Sequence, residues 1–428
     1  METTVPLSDR AQKIPELFEN VSYFQAVQSA ASRPWTPEDP DGNIIGAIAE
    51  NRLTCASLQQ KLRSAPDYPD SAFFYDEPRG SMRLRKAFAA MAQATFMQGL
   101  KVDPEHLTLA AGAGAILDNL FFMLGNPGDG VLIPAPYYPA FDIDLQVKNA
   151  VKPVAVHLTE DESLGEQLDK AADESAAAGH PICAILVTNP DNPTGKIYQR
   201  SSLVQMLRWC HQRHVHLVSD EIYANSIFKR DQEPMFISML NLAQEHEAEL
   251  GPLLHEIVHI VFGLSKDWCA SGFRVGGLYT RNEVMLTSLI PLSIFCGVSG
   301  PLAHVLAVML EDLAFVQTLL AENSRLLGNA YSQAAAGLDD LSIPHNPAAG
   351  AVFLLMDFRK WLHDATWEGE DTLWRSLVDD CRIIFTPGKA CHAAEPGFFR
   401  WCYARDPPGA IPAVLARLKP FLAARSKA

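Results

Sequence analysis

From about residue 105 onward, short runs of Val, Ile and Leu bounded by turn residues alternate with stretches of helical amphipathicity. The apolar runs are VLIPAPYYPAF, VKPVAVHL, PICAILVTNP, VHLVSDEIY and HEIVHIVFGLSKD; SLVQMLRWCHQR is one of the amphipathic stretches between them. Continuous apolar runs separated by a 3.6-residue period predict βαβ units and a mostly parallel sheet, so the central part is expected to be α/β. AAGAGAILDNLFFML predicts a helix with a Gly/Ala-rich start. Beyond about residue 315 the pattern changes. AENSRLLGNAYSQAAAGL reads as a long helix, and GAVFLLMDF and FRWCYA read as strands set among helices, which predicts a smaller α+β domain. The expected division is an N-terminal segment over residues 1–74 that contributes to the small domain and the site, a large domain over 75–315, and a C-terminal small domain over 316–428.

Composition narrows the function classes. The 428 residues are 48% apolar and 20% charged, enough for a sizeable core. A formal charge of −15 without any block of like charges predicts a solvated acidic surface and argues against a nucleic-acid partner. The eight cysteines show neither a CxxC pair nor zinc spacing, so no metal is expected and the thiols read as reduced. METTVPLSDRAQKIPELFEN has no apolar segment of signal-peptide type, and a cytoplasmic location follows by default. Val284 to Leu310 holds no Lys, Arg, Asp or Glu over 27 residues, the length of a membrane span. Pro291, Gly297, Gly300 and Pro301 interrupt it, and a buried loop followed by a core helix is the expectation.

In open α/β sheets ligands sit beyond the carboxyl ends of strands, so polar residues that follow apolar runs are the ones to inspect. Four places qualify: NPDNPTG (Asn189 to Gly195); SDEIY, with Asp220 and Tyr223; GLSKDWCASGFRVG, with Lys266 and, eight residues on, Arg274; and AGAGA (Ala111 to Ala115), whose bare amides could cradle a phosphate. Each alone is ordinary turn, surface or packing chemistry. Their order, spacing and strand context together carry the information.

That set resembles the fold-type-I pyridoxal-phosphate (PLP) enzymes of the aspartate aminotransferase superfamily, and more narrowly the 1-aminocyclopropane-1-carboxylate (ACC) synthase-like branch of aminotransferase class I/II. The resemblance runs from about Tyr23 to Asp406 and includes AIAENRL, PAPYYPAF, TNPDNPTG, SDEIYA, LSKDWCASGFRVGG and TPGKACHAAEPGFFRWCYA. It implies an aspartate-aminotransferase-like α/β fold, PLP as cofactor, an amino-acid substrate and a homodimer whose sites draw on both chains. Lys266 takes the position of the lysine that bonds the cofactor and then moves the α-proton, a task that burial favours by lowering a pKa of roughly 10.4. Asp220 takes the place of the carboxylate at the ring nitrogen. Asn192 and Tyr223 match the pair on the ring's phenolic oxygen, Tyr138 the aromatic on the ring face, Arg274 the phosphate-pairing arginine, and Arg400 the clamp on the substrate α-carboxylate. Glu50 is retained from the family's N-terminal active-site segment.

The departures also matter. The hydroxyl three residues before the lysine is missing at Gly263, and the one expected at the helix start is missing at Gly114, which leaves the amides of Ala113 and Gly114 to serve. ACC synthases carry a tyrosine in a QDYHGL-like segment that reaches the neighbouring subunit's cofactor. Here FYDEPRGSMRLR sets Arg79 beside Gly80 in that region, with Tyr75 close enough to substitute, which weakens a claim to ACC synthase activity itself. Transamination, ring closure to a cyclopropane and β-elimination of a C–S bond share one external aldimine, and the motifs do not choose among them. The expected reaction is β-elimination on a cysteinyl conjugate, as in the carbon–sulfur lyases of fungal gliotoxin-type pathways; Pro- and Ala-rich usage is compatible with such a source. Amino-group transfer to a 2-oxo acid is the alternative. A non-catalytic scaffold would be expected to have lost Lys266, Asp220 or Arg400, and all three are present.

Overall fold

The computed structural model describes the chain except residues 1–4, 6, 20–22, 65–66, 160, 230–232, 406–408 and 426–428. Asp406, where the resemblance ends, lies outside the described residues.

Seven strands form the central sheet: β1 (Leu107–Ala110), β2 (Gly130–Ala135), β3 (Lys152–His157), β4 (Ile182–Thr188), β5 (His216–Asp220), β6 (Val258–Gly263) and β7 (Gly276–Thr280). Their order across the sheet is β1-β7-β6-β5-β4-β2-β3. All neighbours run parallel except β7, which is antiparallel to both β6 and β1. The continuous apolar runs have a physical reason here. Successive residues enter opposite faces, and both faces are covered, as a parallel sheet requires. Leu132, Ile185, Val187, Leu217 and Ile260 feed one buried cluster, while Val131, Ile133, Ala184, Leu186, Val218 and Val261 feed another. The fold class expected from the sequence is therefore the one observed, a mixed α/β chain around a mostly parallel sheet.

The helices that shape the site and its surroundings are α1 (Ala113–Leu124), α2 (Phe141–Gln146), α3 (Glu283–Ser293), α4 (Gly300–Glu311) and α5 (Leu313–Asp340). A second body of core surrounds an antiparallel sheet of β8 (Phe353–Asp357), β9 (Thr386–Pro387) and β10 (Phe398–Cys402), ordered β9-β10-β8. The N-terminal part of the chain belongs to this body. Tyr23, Val27, Trp35 and Ala47 share its buried cluster, and Ile44 and Ile45 pair in parallel with Ile383 and Ile384. Asp312 caps the 28-residue α5 by accepting from Phe315 N at 3.0 Å, and the helix runs through both bodies. Val316, Leu319 and Leu320 pack with the large core, and Leu327, Tyr331, Ala334 and Leu338 pack with the small one.

The uncharged segment departs from expectation. Its first half is the helix α3 instead of a buried loop, with Val284, Ile290, Ile294 and Phe295 exposed on and just after it. Its second half is the expected core helix, since α4 buries Ala303, Leu306, Ala307, Met309 and Leu310. Among the described residues no single helix is long and apolar enough to cross a membrane; α4 and α5 reach that length and composition only as a pair bent by 86°. All eight cysteines are free thiols, and no group of metal-ligating side chains occurs among the described residues.

The start of α1 is pressed onto β7. A Cβ added at Gly276 would lie 2.4 Å from Ala113 N and 2.5 Å from Gly112 C, against backbone that cannot rotate away. Gly276→Ala is therefore expected to lower stability by about 1–3 kcal/mol through overpacking. Urea denaturation checks this, with a lower midpoint at unchanged slope as the expected result and an unchanged midpoint as the refuting one.

Candidate active site

Because β2, β4, β5 and β6 are parallel neighbours, their carboxyl ends share one edge, and each delivers a polar residue there. Tyr138 follows β2, Asn192 follows β4, Asp220 ends β5 with Tyr223 three residues on, and Lys266 follows β6. The α1 N-terminus and Arg274, two residues before β7, reach the same edge.

Lys266 is half-buried, and its amine donates to the carbonyl of Ala49. Burial lowers its pKa to about 8, partly offset by nearby Cys402, Glu50 and Asp220. Burial acts in the opposite sense on Asp220, whose carboxyl is raised to about 7 although Ile222 N donates to it at 3.2 Å. Tyr223 is buried with its ring edge-on to Phe353, centroids 5.3 Å apart, and its hydroxyl is pushed well above the usual range by burial. Tyr138 is raised to about 12 by burial and then by Asp144; its ring meets Phe141 edge-on at 5.3 Å.

Arg400 is fully buried. Its Nη1 donates to Asn192 Oδ1 at 2.9 Å, and its Nη2 donates to Ala47 O at 2.7 Å and to Thr386 Oγ1 at 3.0 Å. Its Nε has no partner among the described residues, an orphaned buried donor on a cation whose three acceptors are all neutral. An arrangement of that kind can receive a carboxylate. Glu50, on the N-terminal segment, accepts from Ser271 Oγ at 2.9 Å and from Arg52 Nε at 2.8 Å.

A second anion cradle lies at the start of α1. Gly112 caps this helix at φ 93°, a conformation that favours glycine, and a Cβ there would fall 2.6 Å from Arg274 Nη2. Arg274 itself adopts φ 54° and donates from Nη1 to Ser271 O at 3.0 Å. A guanidinium set against the positive end of a helix is unfavourable unless an anion shares the space, and a phosphate meets that condition. Ala113 and Gly114 are the first two residues of that helix and Gly114 is open on its side-chain side, where Asp144 Oδ1 would be 3.7 Å from an added Cβ. Gly263 differs. A Cβ there would meet Ile222 Cδ1 and Val275 O at 3.0 Å, so the position that lacks a hydroxyl is also closed to one.

Arg79 is not brought to this edge. Its Nη1 donates to Glu105 O at 3.0 Å and its Nη2 lies 3.7 Å from Glu105 Oε2, just ahead of β1 and so toward the opposite end of that strand. Tyr75, by contrast, is fully exposed on the surface. Sequence reasoning missed Asp144, whose carboxyl is raised to about 7 by burial and then by Asp220. The acidic FDIDL after PYYPA was the available signal. It also missed Cys402, whose Sγ lies 3.3 Å from Glu50 O, and the carbonyls of Ala47 and Ala49, which no side-chain motif can reveal.

The aminotransferase class I and II profile matches residues 49–418, and the chain belongs to that family. It is 32% identical over 421 residues to 1-aminocyclopropane-1-carboxylate synthase 2 of Cucurbita pepo, spanning 94% of this chain and 83% of that one. It is 33% identical over 419 residues to synthase 6 of Arabidopsis thaliana, with the same coverage. Among solved structures, a Thermus thermophilus aspartate aminotransferase variant superposes with a TM-score of 0.76 at 20% identity, covering 97% of this chain and all of the other. The fold is thus the aspartate aminotransferase one, and the protein is a PLP-dependent enzyme. The residues present are of a kind that would fit that cofactor: Arg274 and the α1 start offer positive charge and amides for a phosphate, Asp220 a buried carboxyl for the ring nitrogen, and Lys266 an amine for the aldehyde.

With Lys266 losing its proton as pH rises through about 8, the rate of PLP capture by the apo protein is expected to climb up to about tenfold per pH unit below 8 and level off above it. Stopped-flow absorbance measures this, and a flat profile between pH 6 and about 9 would contradict the lowered pKa. Lys266→Ala should also lose the borohydride-reducible link to cofactor.

Proposed function

We propose that this enzyme acts at the α-carbon of an amino-acid substrate and breaks a C–S bond by β-elimination, as on a cysteinyl conjugate in fungal secondary metabolism. The buried, incompletely satisfied guanidinium of Arg400 is the observation that carries the amino-acid reading. Arg400 would hold the α-carboxylate, and its ties to Asn192 and Thr386 fix the direction in which the Cα–H bond points. Lys266, with a pKa near 8, would take the α-proton as a base matched to neutral pH. Asp220, enclosed by protein, would hold the proton at the ring nitrogen. Bound PLP supplies the sink for the electron pair left at Cα. In the elimination the α-proton passes to Lys266, the thiolate leaves from Cβ and is protonated, and hydrolysis of the remaining fragment gives pyruvate and ammonia.

The FYDEPRGS segment, which sets the chain apart from ACC synthases within the ACC-synthase-like branch, supports an outcome other than ring closure. The aspartate aminotransferase architecture favours transamination as the second reading. A product screen tests both. Thiol and pyruvate released from a cysteine S-conjugate are expected; amino-group transfer alone would favour the second reading, and ACC formed from S-adenosylmethionine would overturn both. Asp220→Ala should bind cofactor yet lose at least about two powers of ten in kcat, roughly 2.7 kcal/mol, and rates within tenfold of wild type would contradict the role given to it.

A homodimer is proposed as the working form, in the cytoplasm, where free thiols persist. Phe73, Phe74 and Tyr75 face outward beside Ile294 and Phe295, and a groove of about 1140 Å³ runs between these two segments. So contiguous an apolar surface needs a cover, and a second copy of the chain supplies one with its own Tyr75. With Arg79 committed to Glu105, Tyr75 is the residue proposed to reach the neighbouring site. Tyr75→Phe is expected to weaken PLP binding by about two- to tenfold, and Arg79→Ala to leave it unchanged. Light scattering that finds a fully active monomer, or affinity lost only in Arg79→Ala, would overturn this arrangement.

A further inference from the structure

Outside the residues already assigned, one polar cluster joins the two bodies of the protein. Tyr137 Oη donates to Asp142 Oδ1 at 2.8 Å, and His392 Nε2 donates to Asp142 Oδ2 at 2.7 Å. The carboxylate can only accept, so its pairing with His392 fixes the ring proton on Nε2. The Tyr137 and His392 rings stack with centroids 4.3 Å apart and planes 17° from parallel. Tyr137 N donates to Cys391 O at 2.8 Å, a backbone bond across the same gap. Tyr137 and Asp142 belong to the large body, on the turn after β2 and on α2; His392 belongs to the small one.

The small-body side of this clasp is braced. Glu370, buried, accepts from Lys389 N at 2.8 Å and from Gly397 N at 2.6 Å, which holds both ends of the turn that carries His392. Three residues past Gly397 stands Arg400. On the large-body side, Tyr138 directly follows Tyr137, and its ring rests edge-on against Phe141, beside Asp142.

We propose that His392 is a positioning residue: through Asp142 and Tyr137 it fixes the turn that aims the Tyr138 ring into the site and registers that ring against Arg400. The inference rests on the PLP reading of the site. A hydrogen bond to an ionised carboxylate is directional as well as strong, and the stacked ring removes the remaining freedom of Tyr137. Without the imidazole, Tyr137 keeps its bond to Asp142 but loses its side-chain tie to the small body, and Tyr138 turns with it.

Visible circular dichroism of the bound cofactor reports the asymmetry of its surroundings and is independent of turnover. In His392→Ala the signal per bound PLP is expected to fall by at least half, with PLP affinity reduced about three- to tenfold. In His392→Gln, whose side-chain amide can donate to Asp142 in the same way, the signal should return to near the wild-type value. Asp142→Asn, which keeps the shape but weakens both bonds, should give an intermediate signal and serves as the reading if the alanine variant does not fold. An unchanged signal per bound PLP in His392→Ala or in Asp142→Asn overturns the proposal. So does equal loss in His392→Ala and His392→Gln, which is the mark of a packing role. A wild-type protein with no cofactor band would defeat the PLP reading itself, and this proposal with it.

Discussion

A guanidinium taken out of water holds this site together. Placing Arg400 in the interior costs several kcal/mol, and neutral acceptors only partly compensate a buried cation. The acceptors come from three separate stretches: Ala47 from the N-terminal segment, Asn192 from the turn after β4, and Thr386 from the small sheet. Each is thereby fixed relative to the others. The N-terminal stretch then carries the constraint onward, because Ala49 O receives the Lys266 amine and Asn51 Nδ2 donates to Lys266 O at 3.0 Å and to Asn323 Oδ1 at 2.7 Å. The stretch from Ala47 to Asn51 thus touches the Arg400 guanidinium, the Lys266 amine and the long helix. The AIAENRL motif is as much a strut as a lining.

Much of this could be read in the sequence, for reasons that differ by residue. Asn192, Asp220, Tyr223 and Lys266 sit at or just beyond strand ends, where apolar runs stop, and a parallel sheet must bring such ends to one edge. Arg274 was equally visible because the strand after it starts at that edge. Asp144 was not, since an acid in a helical first turn is ordinary until tertiary packing encloses it. The Tyr137–Asp142–His392 cluster was less accessible still: two of its members lie 250 residues apart, and the motifs that hold Tyr137 and His392 do not show that their side chains meet. The segment after Val284 shows the opposite limit. Its apolarity signalled burial, but composition cannot distinguish a helix buried in its own core from one that offers its side chains to another molecule. The structure does both within that segment, with α4 inside and Ile294 and Phe295 outside.

The two missing hydroxyls turn out to be unlike. At Gly114 the space a side chain would occupy is open, so the loss there is one of chemistry alone. At Gly263 the packing of Ile222 and the Val275 carbonyl has closed around the glycine, so the loss has been absorbed into the fold. A phosphate bound at this end of the site would therefore lean on backbone amides and on Arg274 more than on side-chain hydroxyls. Amides are fixed by α1, and α1 is fixed by its contact with Gly276.

The long helix α5 sets a mechanical limit that a flexible linker would not. At 1.5 Å per residue its 28 residues form a rod of about 42 Å, anchored at one end in the large core and at the other in the small one. Any rotation of the small body over the substrate has to be absorbed as bending within that rod, between Leu320 and Leu327, where it passes from one core to the other. A closing motion of the small body would therefore bend the helix against its own hydrogen bonds, and their recovery would favour reopening.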